Sequence, residues 1–242
     1  MREYHIELKN RIEFIRECLK QASATGIVYG NSGGKDSALV GILCKMACEN
    51  TVGLIMPCSS KRNYHEDKSD AEVVAKQFGI EVRYVDLEAP MKELQNAVKQ
   101  ITSPTDMALA NIAPRLRMTV LYSVAASENR LVAGTGNKSE GYVGYFTKWG
   151  DGAFDFNPIG DLTVTEIYEF LRFLKAPASI LEKAPSAALF EGQTDEKELG
   201  ITYQSIDAYL KGGVIDEADR LMIEKLHKAS EHKRRMPLVY GG

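Results

Sequence analysis

The sequence predicts an α/β fold: a doubly wound, mostly parallel sheet flanked by helices. Three observations lead there. Four short apolar runs, Gly26–Tyr29, Val52–Met56, Val82–Asp86 and Leu131–Ala133, read as strands of a buried parallel sheet. Helix-like stretches separate them, and strand alternating with helix is the signature of this architecture. A glycine-rich segment, GNSGGKDS (Gly30–Ser37), follows the first run and opens the next helix-like stretch, as a phosphate loop does.

Taken in chain order, MREYHIELKNRIEFIRECLKQ mixes charge with apolar residues at helical spacing and reads as an amphipathic helix. Helices are then expected over Ser37–Glu49, Glu66–Phe78, Met91–Lys99 and Leu116–Ser127. Gly79 is placed to stop the second of these before a strand beginning near Ile80. After the fourth strand the texture changes. GTGNKSEGYVGYFTKWGDGAFDFNPIGD is dense in glycine and polar residues and too long for a routine connection. Its aromatic residues, Tyr142, Tyr145, Phe146, Trp149, Phe154 and Phe156, predict an ordered, functional loop. Helices near Val164–Leu174, Tyr203–Leu210 and Asp216–Lys228 close the chain. With no repeat, linker or low-complexity segment, a single domain over residues 1–242 is expected.

Composition narrows the class. The chain is 44% hydrophobic and 26% charged, the balance of a folded globular protein. A net charge of −3 argues against a nucleic-acid-coating surface. No apolar run approaches the roughly 18 residues of a membrane helix, and no secretory leader is visible. The four cysteines (Cys18, Cys44, Cys48 and Cys58) form no CxxC pair and read as reduced thiols of a cytoplasmic protein.

The glycine-rich segment is not a Walker loop. That pattern requires glycine at position 29 and a hydroxyl at position 36, where this chain has Tyr29 and Asp36. The remaining Ser32-Gly33-Gly34-Lys35-Asp36-Ser37 still has a physical logic. Paired glycines allow a tight turn and close approach to a ligand. A helix N-terminus presents unpaired N–H groups and partial positive charge to an anion. Asp36 would repel bare phosphate, so it makes sense as a ligand of Mg²⁺ bridging phosphate oxygens; the plainer alternative is that Asp36 and Ser37 merely cap the helix.

S-G-G-x-D-S after the first strand resembles the pyrophosphate loop of the N-type ATP pyrophosphatases, which split ATP between its α- and β-phosphates. The resemblance implies a Rossmann-like, adenine nucleotide alpha hydrolase-like fold, with Gly30, Asn31, Ser32, Gly33, Gly34, Lys35, Asp36 and Ser37 around ATP and the leaving pyrophosphate. Four later segments, NIAPRLRMTVLY, GTGNKSE, GYFTKWGDGAFD and EHKRRMP, resemble the ammonia-dependent NAD synthetases in the family's order. That resemblance implies Mg²⁺ on Asp36 and Glu140, and Thr135 and Ser186 near ATP. It implies Arg115, Lys148, Asp155, His232 and Lys233 on deamido-NAD, with Arg117 close enough to compete with Arg115. Read without it, each of these charges is an ordinary surface group, and EHKRR a basic tail.

Convergence of Asp36 and Glu140 is expected from the sheet, because the carboxyl ends of its strands share one crevice. The implied activity is an AMP-forming ligase that uses ATP and free ammonia to amidate deamido-NAD through an adenylate, without a protein nucleophile. Glutamine-using relatives carry a further amidase domain, for which 242 residues leave no room. A homodimer is implied by the resemblance as well. Two features depart from the pattern: Val164 stands where the family commonly has an ATP-contacting lysine, leaving Lys35 or Lys183 to supply that charge, and the stretch Lys61–Asp70 is unusually charged. The competing reading is the same loop serving another acceptor, such as a tRNA-modifying adenylyltransferase; a nucleotide-binding sensor would not need two carboxylates.

Overall fold

A computed structural model describes residues 2–58, 68–182 and 195–240. The amphipathic N-terminal segment forms α1 (Tyr4–Ala22), and the four apolar runs form β1 (Gly26–Gly30), β2 (Thr51–Ile55), β3 (Glu81–Tyr84) and β4 (Arg130–Ala133). All pair in parallel, in the order β3-β2-β1-β4. Ile27 lies opposite Thr51 on one side and Leu131 on the other, which makes β1 the central strand between β2 and β4. The chain thus winds outward from β1 through β2 to β3, then returns to the other side of β1. Between β1 and β4 the winding reverses, and such a switch point opens a crevice at the carboxyl ends of the strands.

Helices α2 (Lys35–Ala47) and α3 (Lys68–Phe78) follow β1 and β2, and α4 (Glu88–Lys99), α5 (Asp106–Ala110) and α6 (Ile112–Glu128) lie between β3 and β4. Strand side chains alternate between the two faces. Ile27, Tyr29 and Ala133 join the cluster under α1 and α2, whereas Val28 and Val132 join the one under α4 and α6. Ile15, Ile27, Leu39 and Leu43 are fully buried, and each such side chain contributes roughly 1.5–3 kcal/mol over exposure.

Beyond β4 come α7 (Lys138–Val143), α8 (Val164–Phe173), α9 (Ala178–Glu182), α10 (Asp195–Leu199), α11 (Tyr203–Leu210), α12 (Glu217–Ala229) and α13 (Glu231–Arg234). Val143, Val164, Tyr203, Ile206 and Ile223 form a third apolar cluster among α7, α8, α11 and α12. Buried Asp207 ties these helices together, accepting from the Ser139 hydroxyl at 2.5 Å and the Thr165 amide at 2.7 Å.

The long glycine-rich stretch after β4 is not one continuous loop, as its composition suggested. It contains α7, opened by a reciprocal capping box in which the Glu140 amide donates to the Asn137 side chain and the Glu140 carboxylate accepts the Asn137 amide. The stretch also folds back along β4, where the Gly134 amide donates to the Phe156 carbonyl at 2.8 Å. Elsewhere the expected elements are present, most with shifted ends and α11 with the expected ones; Glu66 and Asp67, where one helix was expected to begin, lie outside the described residues. Helix α2 begins two residues early, so Lys35 and Asp36 form its first turn rather than a loop.

Candidate active site

The segment after β1 takes its shape from a few local constraints. Gly33 adopts φ +69°, a left-handed conformation that glycine reaches without strain. Asn31 is buried and donates from its side chain to the Ala71 carbonyl, anchoring the loop to α3. The Ser32 and Ser37 hydroxyls meet at 3.1 Å across the turn, and Ser37 also donates to the Gly34 carbonyl. Gly34 stands at the N-cap of α2 without a side-chain cap, so the first-turn N–H groups keep their anion-binding character.

Lys35 and Asp36 lead to the second wall. The buried Lys35 ammonium lies 2.7 Å from Asp36 Oδ2 and 3.8 Å from Glu140 Oε1. Asn137 closes the group by donating from Nδ2 to Asp36 Oδ1 at 3.0 Å. Residues following β1 and β4 therefore converge at the switch point. Burial opposes the charge on Lys35, but Asp36 and Glu140 outweigh it and hold the ammonium protonated. Burial and then the neighbouring Asp36 push the Glu140 carboxyl well above its ordinary range, with Lys35 countering only in part. Two carboxylates thus face one lysine, a donor set that suits a hard divalent cation completed by phosphate oxygens and water. Among the described residues, no group of three His, Cys, Asp or Glu forms a metal cage made of protein alone.

Lys35, Asp36 and Glu140 line a cavity of about 530 Å³ whose wall also includes Leu54, Ile55, Met56 and a second polar group. That group is Arg117, Thr147, Asp151 and Lys233. The Arg117 Nε donates to the Met56 carbonyl at 2.9 Å, which fixes the guanidinium against the end of β2. Lys233 donates to the Gly144 and Phe146 carbonyls, each at 2.8 Å. Asp151 accepts the Thr147 amide at 2.9 Å. Desolvation by the surrounding protein raises the Asp151 carboxyl, opposed by the Thr147 amide and by Arg117 and Lys233. The first group offers carboxylate oxygens beside helix N–H groups, and the second sets two cations, Arg117 and Lys233, beside Asp151.

A protein-family model for NAD synthase matches residues 7–237. The chain belongs to the NAD synthase family. It is 47% identical over 231 residues to the NH(3)-dependent NAD(+) synthetase of Carboxydothermus hydrogenoformans, with 94% of each chain covered. Among solved structures, an NMN synthetase from Francisella tularensis superposes with a TM-score of 0.95 at 34% identity, over 100% of both chains. The NH3-dependent NAD synthetase of Campylobacter jejuni superposes with a TM-score of 0.80 at 30% identity, over 98% of this chain and 99% of that one.

Most sequence-named residues fall in or beside this cavity. Gly30, Asn31, Ser32, Gly34, Lys35, Asp36, Ser37, Thr135, Glu140 and Lys233 line it. Arg115, Lys148, Asp155 and His232 do not. The Arg115 guanidinium donates to the Lys148 carbonyl at 3.3 Å, and the Lys148 ammonium donates to the His232 carbonyl at 2.8 Å. These three make a patch beside the cavity. Both oxygens of Asp155 are engaged within the chain, accepting from the Val132 amide and the Tyr122 hydroxyl. Ser186 and Lys183 lie outside the described residues. Val164 is buried in the third apolar cluster and sends no charge toward the cavity, whereas Lys35 does line it.

Sequence reasoning passed over Asn137, Asp151 and Tyr168. For Asn137 a signal existed, since N-x-x-E ahead of a helix is a capping box. Asp151 and Tyr168 are brought to the cavity by tertiary packing alone.

Proposed function

We propose that this chain is an AMP-forming carbon–nitrogen ligase that converts deamido-NAD to NAD with ATP and ammonia. The observation that carries the proposal is the joining of Lys35, Asp36 and Glu140 with Arg117 and Lys233 in one cavity. A nicotinate carboxylate is a poor electrophile until activated. One of its oxygens attacks the α-phosphorus of ATP, and the bond to the β-phosphate oxygen breaks, releasing pyrophosphate toward Ser32–Ser37. Ammonia then attacks the acyl carbon, AMP leaves, and the new amide nitrogen loses a proton. Asp36 and Glu140 would hold Mg²⁺, which when bound offsets charge on the polyphosphate. Arg117 and Lys233 orient the acid, so catalysis here is positioning and electrostatics, with no protein nucleophile. Arg115, Lys148 and His232, grouped beside the cavity, stay proposed contacts of the part of deamido-NAD that the cavity does not hold, and Asp155 stays a proposed contact of the same substrate. The proposal extends to a single domain working as a cytoplasmic homodimer. No helix among the described residues is long and apolar enough to cross a membrane.

One observation favours a second acceptor. The superposition at a TM-score of 0.95 is on an NMN synthetase. The acid corresponding to NMN is nicotinate mononucleotide, which presents the same pyridine carboxylate without the AMP half.

The test is AMP release and amide formation from ATP, Mg²⁺ and ammonium, with deamido-NAD and nicotinate mononucleotide in parallel and glutamine as an alternative nitrogen donor. NAD and AMP formed together only with ammonium support the first reading. Amidation of the mononucleotide with a higher kcat/KM makes the second the principal activity. No AMP with either acid, while ATP still binds, overturns both and sends the search to other acceptors, tRNA first.

A further inference from the structure

The basic run Glu231–Arg235 divides its work in a way its charge alone does not announce. Arg235 pairs with Glu231 on the surface and His232 is exposed, whereas Lys233 enters the cavity. Arg234 turns back onto α7. Its guanidinium donates to the Tyr142 carbonyl at 3.1 Å, the Ser230 hydroxyl at 2.7 Å and the His227 carbonyl at 2.5 Å, with a longer contact to the Gly141 carbonyl.

Gly141 and Tyr142 lie in the last turn of a six-residue helix, whose terminal carbonyls have few intrahelical partners. A guanidinium there supplies donors and complements the negative end of the helix. The neighbouring contacts reinforce it. His227 Nδ1 lies 2.9 Å from the Tyr142 carbonyl, and the two rings stack with centroids 4.0 Å apart. Gly144 caps α7 at φ +73°, and a Cβ on it would lie 2.0 Å from Ser230 Cβ. The junction of α12 and α13 is therefore seated directly on the end of α7.

We infer that Arg234 is a positioning residue that latches α13 onto the last turn of α7 and so sets Lys233 in the cavity. Two adjacent residues grip successive carbonyls of one segment: Arg234 takes Gly141 and Tyr142, and Lys233 takes Gly144 and Phe146. With Arg234 removed, the last turn of α7 loses its charged cap and Lys233 loses its fixed origin. Misplacement of such a group by about 1 Å can cost on the order of 100-fold in rate. The placement of Lys233 at the acid acceptor rests on the function proposed above; the latch itself does not.

The experiment compares Arg234→Ala, Arg234→Lys, Lys233→Ala and the double variant, using steady-state kinetics and hydrogen exchange of the α7 amides. Expected for Arg234→Ala are a rise of about 10-fold or more in acceptor KM, little change in ATP KM, and faster exchange over Glu140–Gly144. Arg234→Lys recovers part of both effects, and Arg234→Ala adds nothing in the Lys233→Ala background. If Arg234→Ala does not fold, Arg234→Gln, which keeps two donors, takes its place. Unchanged exchange and unchanged acceptor KM, or losses that multiply in the double variant, overturn the inference. A wild-type enzyme inactive on both acids overturns the proposed function instead, and α7 exchange still decides the latch.

Discussion

Asn137 Nδ2 donates to Asp36 Oδ1 at 3.0 Å, while Asn137 Oδ1 accepts the Glu140 amide at the same distance. One residue therefore ties down both carboxylates proposed to hold the metal: its side chain holds Asp36 beyond β1, and its backbone amide, donating to Glu140 Oε2 at 3.2 Å, holds Glu140 beyond β4. Asn137→Ala removes an N-cap, costing about 1 kcal/mol of stability, and frees Asp36 to rotate. The expected result is an AMP-forming rate lowered by roughly 100-fold, with the fold retained. Circular dichroism and thermal unfolding separate that outcome from collapse. A variant with near wild-type turnover would show that Lys35 alone suffices to place the pair.

Arg117 and Arg115 are two residues apart on α6 and diverge. Arg117 lines the cavity, held by the Met56 carbonyl, while Arg115 points to the patch containing Lys148. Arg117→Ala is expected to lower kcat/KM by about 10- to 100-fold for deamido-NAD and nicotinate mononucleotide alike, the scale of one charged hydrogen bond. Arg115→Ala should matter for the dinucleotide only. Equal losses for Arg115→Ala on both acids would refute the division between cavity and patch.

The Tyr29 side chain is fully buried, and its hydroxyl has no hydrogen-bond partner among the described residues. It fits a niche bounded by Gly41 and Gly53, where a Cβ would stand 2.2 Å and 3.0 Å from the hydroxyl oxygen. An unsatisfied buried hydroxyl is a net cost, so Tyr29→Phe should raise unfolding free energy by about 1 kcal/mol. Chemical denaturation measures this directly. A loss of similar size would mean that the hydroxyl has a partner after all, such as a buried water.

These cases show what the linear sequence could carry. The four strands were legible because apolar side chains on both faces of a parallel sheet leave continuous runs, and Asp36 because it replaces a hydroxyl in a familiar loop. Glu140 could be paired with Asp36 from topology, since both follow strands that end in one crevice. Helix α7 was missed despite its N-x-x-E cap, because its glycines read as loop; they mark close packing instead, with Gly144 against Ser230. The split between Arg115 and Arg117 was not legible, because which arginine reaches the cavity depends on the Met56 carbonyl of another element. Asp151 shows the same limit, since its partners Arg117 and Lys233 come from distant positions.

Glu166 gives a pH-dependent test of how the N-terminus is fastened. It sits in the first turn of α8, accepts the Thr163 amide at 2.9 Å, and accepts from Arg2 Nε at 3.1 Å. Burial would raise its pKa, but the Thr163 amide and Arg2 outweigh burial and lower it below 4.5. A carboxyl whose folded pKa lies below its unfolded value stabilises the fold fully above the unfolded value, and that stabilisation disappears as pH falls through the folded one. Glu166→Gln keeps the side-chain shape but removes the charge. The wild-type protein should exceed Glu166→Gln in unfolding free energy by about 1 kcal/mol near neutral pH, with the gap closing as the pH falls through the lowered folded-state value. Urea unfolding of both proteins over that range measures the gap. A gap that stays constant or widens toward acid would show that Glu166 acts through shape, leaving Arg2 bound elsewhere.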